Sequence, residues 1–142
     1  MVKNIRHTGI VVNELETSLH FYETLVGFKV VKRMDETGKF IDHISALSNV
    51  NMTTVKMASP DGQMIELLKY HSHPRGQKER EICDIGIGHI AFTVDDLDSE
   101  YKRLKAKGVE FNADPQLSPD GYAKVTFCRA PEGTFIELVE VL

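Results

Sequence analysis

Only two cysteines, Cys83 and Cys128, occur in the 142 residues, and they form no CxxC pair. That leaves no disulfide framework to read, and two free thiols in a reduced compartment are expected. Positive charge is also short: 17 Lys and Arg stand against 21 Asp and Glu, a net charge of −4. Nucleic-acid binding requires a basic surface and is excluded as a main task. No apolar run approaches the ~18–20 residues that span a bilayer. The opening stretch, Met1 to His7, turns polar before an apolar segment develops, unlike a secretory leader. A cytoplasmic protein with no membrane partner is therefore expected.

What is present is ordinary in bulk, with 42% hydrophobic and 27% charged residues, as in a globular domain or two small modules sharing a core. The order within the chain is more informative. The segment Ile5-Arg6-His7-Thr8-Gly9-Ile10-Val11-Val12-Asn13 aligns with Ile87-Gly88-His89-Ile90-Ala91-Phe92-Thr93-Val94-Asp95, histidine on histidine. Likewise Ser59-Pro60-Asp61-Gly62-Gln63-Met64-Ile65-Glu66-Leu67 aligns with Ala130-Pro131-Glu132-Gly133-Thr134-Phe135-Ile136-Glu137-Leu138. Self-similarity of this kind marks a repeated unit. The chain reads as module one (1–70), a polar connector (71–86) and module two (87–142).

Each module follows one plan, βαβββ, so the fold class is α+β. A strand carrying the histidine comes first, and a helix follows. In module one Asn13 and Glu16 resemble a capping box, Leu15, Leu19, Tyr22 and Val26 form the apolar stripe, and Gly27 ends it. In module two Asp95 caps, Leu97, Tyr101 and Leu104 form the stripe, and Gly108 ends it. Lys102, Arg103, Lys105 and Lys107 suit the negative end of the helix dipole and form a solvated face. Later strands are expected at Lys29–Arg33, Ile41–Ala46, Thr53–Ala58 and Met64–Tyr70, then Val109–Asn112, Ala123–Arg129 and Thr134–Val141. The Pro-Asp-Gly and Pro-Glu-Gly tripeptides set tight turns before the final strands.

Side chains alternate across a strand, so Glu66 and Glu137 each sit between aliphatic neighbours. A carboxylate placed there needs a cation, hydrogen bonds or a raised pKa. A lone strand histidine is usually structural and a lone strand glutamate often faces solvent. Both types at matching places in both repeats reverse that reading. His7, Glu66, His89 and Glu137 form a mixed N/O set suited to one divalent ion, Ni, Co, Mn, Fe or Zn. His71 and His73 are chelation candidates in the polar connector. His20 is expected on a helix surface, and His43 near a strand start. Cys128 takes the place of a small apolar strand residue. Lys32, Arg33, Arg75 and Arg80 could meet an anionic substrate but are equally ordinary surface residues.

On these residues, with Phe21-Tyr22-Glu23 through Gly27-Phe28 and Gly133 to Glu137, the sequence resembles the glyoxalase/bleomycin-resistance/extradiol-dioxygenase (vicinal oxygen chelate) superfamily over nearly its whole length. The resemblance implies a curved mixed sheet around a metal cleft within a single glyoxalase-like domain, 1–142. It also implies a homodimer and one divalent metal ion, with Ni or Co favoured. The His/Glu/His/Glu set is most similar to glyoxalase I (lactoylglutathione lyase). That implies a metal-dependent lyase or isomerase that works through a metal-stabilised enediolate on a thiol adduct such as a hemithioacetal. Glu137 would be the catalytic base, with Glu66 its counterpart. Two segments depart from glyoxalase I: Leu67-Leu68-Lys69-Tyr70 after the first glutamate, and Ile85-Gly86-Ile87-Gly88 before the second histidine. Ile65-Glu66-Leu67-Leu68 is also similar to methylmalonyl-CoA epimerase, which acts on a CoA thioester, although the compact Ala130–Thr134 turn is not. A small-molecule-binding resistance protein without turnover is the alternative from another class.

Overall fold

The computed structural model describes all residues, Met1–Leu142, and divides them into two units, Met1–Gln77 and Lys78–Leu142. In the first, strand β1 (Thr8–Val11) leads into helix α1 (Leu15–Leu19), which widens into a π-helical turn over His20–Leu25. Strand β2 (Lys29–Thr37), helix α2 (Lys39–Ser45) and strands β3 (Asn51–Ala58) and β4 (Met64–Tyr70) complete it. The second unit contains β5 (Ile90–Thr93), α3 (Leu97–Ala106), β6 (Gln116–Leu117), β7 (Ala123–Arg129) and β8 (Phe135–Val141).

Each unit builds one four-stranded mixed sheet, in the order β1-β4-β3-β2 and β5-β8-β7-β6. In both, the first strand pairs parallel with the last, and the other pairs are antiparallel. The registers also match: Gly9 lies opposite Glu66, and Ala91 opposite Glu137. The two turns before the final strands are alike as well. Gly62 donates to Ser59 O and Gly133 to Ala130 O, both at 2.9 Å, with φ of +87° and +91°, a region open mainly to glycine.

Alternation decides which sheet face is covered. Ile65 and Leu67 of β4 are buried with Ile10, Val55 and Met57, and α1, which meets β4, buries Leu15 and Leu19. Ile136 and Leu138 of β8 are buried with Cys128, Leu97 and Leu104, where α3 meets β8. Glu66 and Glu137, one residue over, stand on the opposite faces, as strand geometry requires.

Several expected elements differ. Residues 41–46 are not a strand. Ile41 belongs to α2, whose following loop is tied by Asp42, its carboxylate accepting from the Asn49 and Val50 backbone N–H groups at 2.9 and 2.8 Å. That helix packs Ile41 with Val50 and Met52 against Leu47, Leu68 and Tyr70. Val109–Asn112 gives only a single bridge, Phe111 to Cys128, and β6 lies further on. Neither expected cap residue serves as the cap. Glu14 precedes α1 without a side-chain bond, and Val26 is only half-buried while Phe21 and Leu25 are buried, because the π-turn shifts the period. For α3 the cap is Asp96, accepting from Ser99 N–H at 2.9 Å, while Glu140 of β8 accepts from Leu97 N–H at 2.9 Å. Both histidines sit one residue before their strands rather than within them, since the parallel ladders begin at Thr8 and Ile90.

Candidate metal centre

Parallel pairing of the first and last strands sets each histidine beside a glutamate distant in sequence. His7 lies two residues before Gly9, the partner of Glu66; His89 lies two before Ala91, the partner of Glu137. The imidazole of His7 reaches Glu66 with Nε2 to Oε2 at 3.1 Å, and His89 reaches Glu137 the same way at 2.9 Å. The side chains are 30% and 14% exposed in the first pair and 42% and 21% in the second, so both pairs remain open to a ligand. A Cβ at Gly9 would come within 3.2 Å of Leu68 Cδ1, a tight contact against the end of that side chain.

The structure thus brings His7 to Glu66 and His89 to Glu137, each within its own unit. No third His, Cys, Asp or Glu joins either pair to make a cluster of three. Within each pair, the donor spacing fits two neighbouring ligands of a metal ion. Two neighbouring ligands at about 2.1 Å from an octahedral centre stand about 3.0 Å apart, close to the observed 3.1 and 2.9 Å. Without an ion, each contact is a histidine–carboxylate hydrogen bond or ion pair.

Two residues beside the pairs are not evident from the sequence motifs. Lys56 on β3 is the cross-strand partner of Glu66, with Nζ 3.8 Å from Oε1. Phe127 on β7 is the matching partner of Glu137, and its ring meets His89 edge-on, centroids 5.2 Å apart at 86°. A lysine between Val55 and Met57, both fully buried, was the available signal.

The remaining candidates fall elsewhere. His71 Nε2 is 2.8 Å from Thr53 Oγ1, which donates to Asp35 at 2.6 Å, so it anchors the end of the sheet. His73 meets Ser72 at 2.7 Å. His20 is exposed beside a cavity of about 350 Å³ that Glu16, Glu23 and Arg33 also line, and His43 is exposed on α2. Lys102, Arg103, Lys105 and Lys107 are exposed, with Arg103 paired to Glu100 at 2.6 Å. Cys128 is fully buried, its thiol pushed up to about 12 by burial, and Cys83 is exposed; both are free.

The chain belongs to the glyoxalase/bleomycin resistance protein/dioxygenase superfamily, whose family model matches residues 4–138. A glyoxalase family protein from Bacillus cereus superimposes with a TM-score of 0.90 at 25% identity, covering 100% of this chain and 96% of that one. A probable lactoylglutathione lyase of Synechocystis is 28% identical over 135 residues, covering 94% of this chain and 92% of its own. The Bacillus subtilis protein YwbC is 26% identical, covering 99% of each chain. No helix is long and apolar enough to cross a membrane.

Proposed function

We propose that the protein is a glyoxalase I-like, metal-dependent lyase or isomerase acting on a hemithioacetal or a related small carbonyl compound. The observation that carries this reading is the repeated pair: one imidazole and one carboxylate about 3 Å apart, at matching registers of two sheets. The similarity to a protein named as a probable lactoylglutathione lyase supports the chemistry. His7, Glu66, His89 and Glu137 would together hold one divalent ion, Ni or Co by preference, with Zn, Mn and Fe also suited to the donors. The free thiols of Cys83 and Cys128 accord with a cytoplasmic setting.

When bound, the cation supplies Lewis-acid stabilisation of the negative charge that develops on the substrate's carbonyl-side oxygen. The protein's own part is proton transfer and positioning. Glu137 takes the carbon-bound proton, leaving an enediolate, and returns the proton to the neighbouring carbon. Glu137 suits this task better than Glu66, whose cross-strand neighbour is the ammonium of Lys56, whereas that of Glu137 is the Phe127 ring. His7 and His89 act as ligands, and Phe127 holds the His89 ring by its edge.

Glu137→Gln tests this assignment. Turnover of the methylglyoxal–glutathione hemithioacetal should fall by about 10²–10⁴, while elemental analysis should find most of the metal retained. Unchanged turnover would remove Glu137 as the base.

A further inference from the structure

The cross-strand row through Glu66 differs in kind from the row through Glu137. In the first sheet it reads Lys32 on β2, Lys56 on β3, Glu66 on β4 and Gly9 on β1. In the second it reads Phe127, Glu137 and Ala91. Directly paired residues share a sheet face, so both lysines stand on the face that carries Glu66. Like charges opposite one another on antiparallel strands are destabilising. Glu66 lies 3.8 Å from Lys56, and Lys32 stands one strand further out, on β2.

The sheet also contains a specific device that creates this juxtaposition. The register shifts between Val30 and Lys32, because Val30 pairs with Met57 and Lys32 with Lys56. Without that bulge Val31, not Lys32, would face Lys56. Bulges re-aim side chains and are enriched next to active sites. On the side of this face towards α2, Leu68, Tyr70 and Met52 pack with Ile41 and Val50. The lysine row is left open, with Lys56 31% exposed and Lys32 exposed.

We propose that Lys32 and Lys56 form an anion subsite. It receives a carboxylate or phosphate on a small carbonyl substrate whose reacting carbonyl lies toward His7 and Glu66. Ammonium groups act as point charges and accept either acid. The reading of the carbonyl end rests on the proposed metal centre; the anion end does not require the ion. The substrate class is accordingly a small carbonyl compound with an anionic group within a few bonds of the reacting carbon.

The test is an NMR titration of the full chain with pyruvate, hydroxyacetone phosphate and neutral hydroxyacetone, without added metal and again with Zn(II). At least one of the two anions should bind about tenfold more tightly than hydroxyacetone, as a charge-assisted contact provides. Lys56→Met should abolish that preference, Lys32→Met should reduce it, and Lys56→Arg should keep it. Backbone spectra of each variant check that the fold is intact. Equal binding of charged and neutral probes, or a preference that survives Lys56→Met, overturns the subsite. Metal content, measured alongside, separates the two ideas. Stoichiometric metal without anion preference removes only the subsite, and anion preference without metal removes only the proposed centre.

Discussion

Replacing His7 or His89 by alanine should have one and the same consequence, although the two residues belong to different units. In metal-free protein the effect should be small. The imidazoles are 30% and 42% exposed, and losing an ion-pair partner so open to solvent costs about 1 kcal/mol or less. In the presence of metal it should be large. A four-ligand site with an apparent binding free energy of about 10–16 kcal/mol loses about 2.5–4 kcal/mol per ligand, a weakening of about 70- to 900-fold. At a free-ion concentration of about 100 times Kd, the parent protein gains about 2.7 kcal/mol. For a chain of this length that corresponds to about 8 °C in Tm. Either variant at the same concentration should gain less than about 0.5 kcal/mol, or about 2 °C. Thermal melts with and without Ni(II), alongside metal per chain by elemental mass spectrometry, measure all of this. The double variant should be no worse than either single one, because the shared ion is already lost. If His7→Ala abolishes the metal-induced shift while His89→Ala keeps it, the two pairs do not share an ion and the reasoning fails.

Three further outcomes concern the scaffold. Leu67→Ala removes a fully buried side chain between the β4 partners and α1, and should cost about 2–5 kcal/mol in urea unfolding; a midpoint that does not move would show that the covered face has been misassigned. Asp96 is held below its ordinary value of 3.8 first by the hydrogen bond from the Ser99 hydroxyl and then by that from the Ser99 backbone N–H. A depressed folded value stabilises above the unfolded pKa and is lost as pH falls through the folded one. Melting curves of the parent and Asp96→Asn should therefore diverge above about pH 4 and converge below it; a constant gap at all pH values would contradict the cap. In thiol titration at mild alkaline pH, Cys83 should react quickly and Cys128 only on unfolding, because its thiol is buried and pushed up to about 12; two fast thiols would contradict that burial.

The repeat, the turns before the last strands and the four residues that form the two histidine–glutamate pairs were legible in the sequence. Each is a local signal: Pro-x-Gly sets a turn, and alternation fixes which neighbours share a face with Glu66 and Glu137. Boundaries and caps were less legible. Short apolar stretches such as Phe40-Ile41 read equally as strand or helix, and the loop contacts of Asp42 decide for helix. The π-turn at His20–Leu25 has no composition signature, so the expected stripe through Val26 gave way to Phe21 and Leu25.

What the sequence by itself determined is which side chains could serve and on which face of their strands they stand, because periodicity is a property of the local backbone. Only the tertiary structure decided which of them meet. Parallel pairing of β1 with β4 and of β5 with β8 closes loops of more than 40 residues, bringing His7 to 3.1 Å from Glu66 and His89 to 2.9 Å from Glu137. The same registers, with one bulge in β2, set Lys56 beside Glu66 and Lys32 beside Lys56, but Phe127 beside Glu137. Register between strands depends on contacts far apart in the chain, and a shift of one residue would turn each of these side chains to the other face.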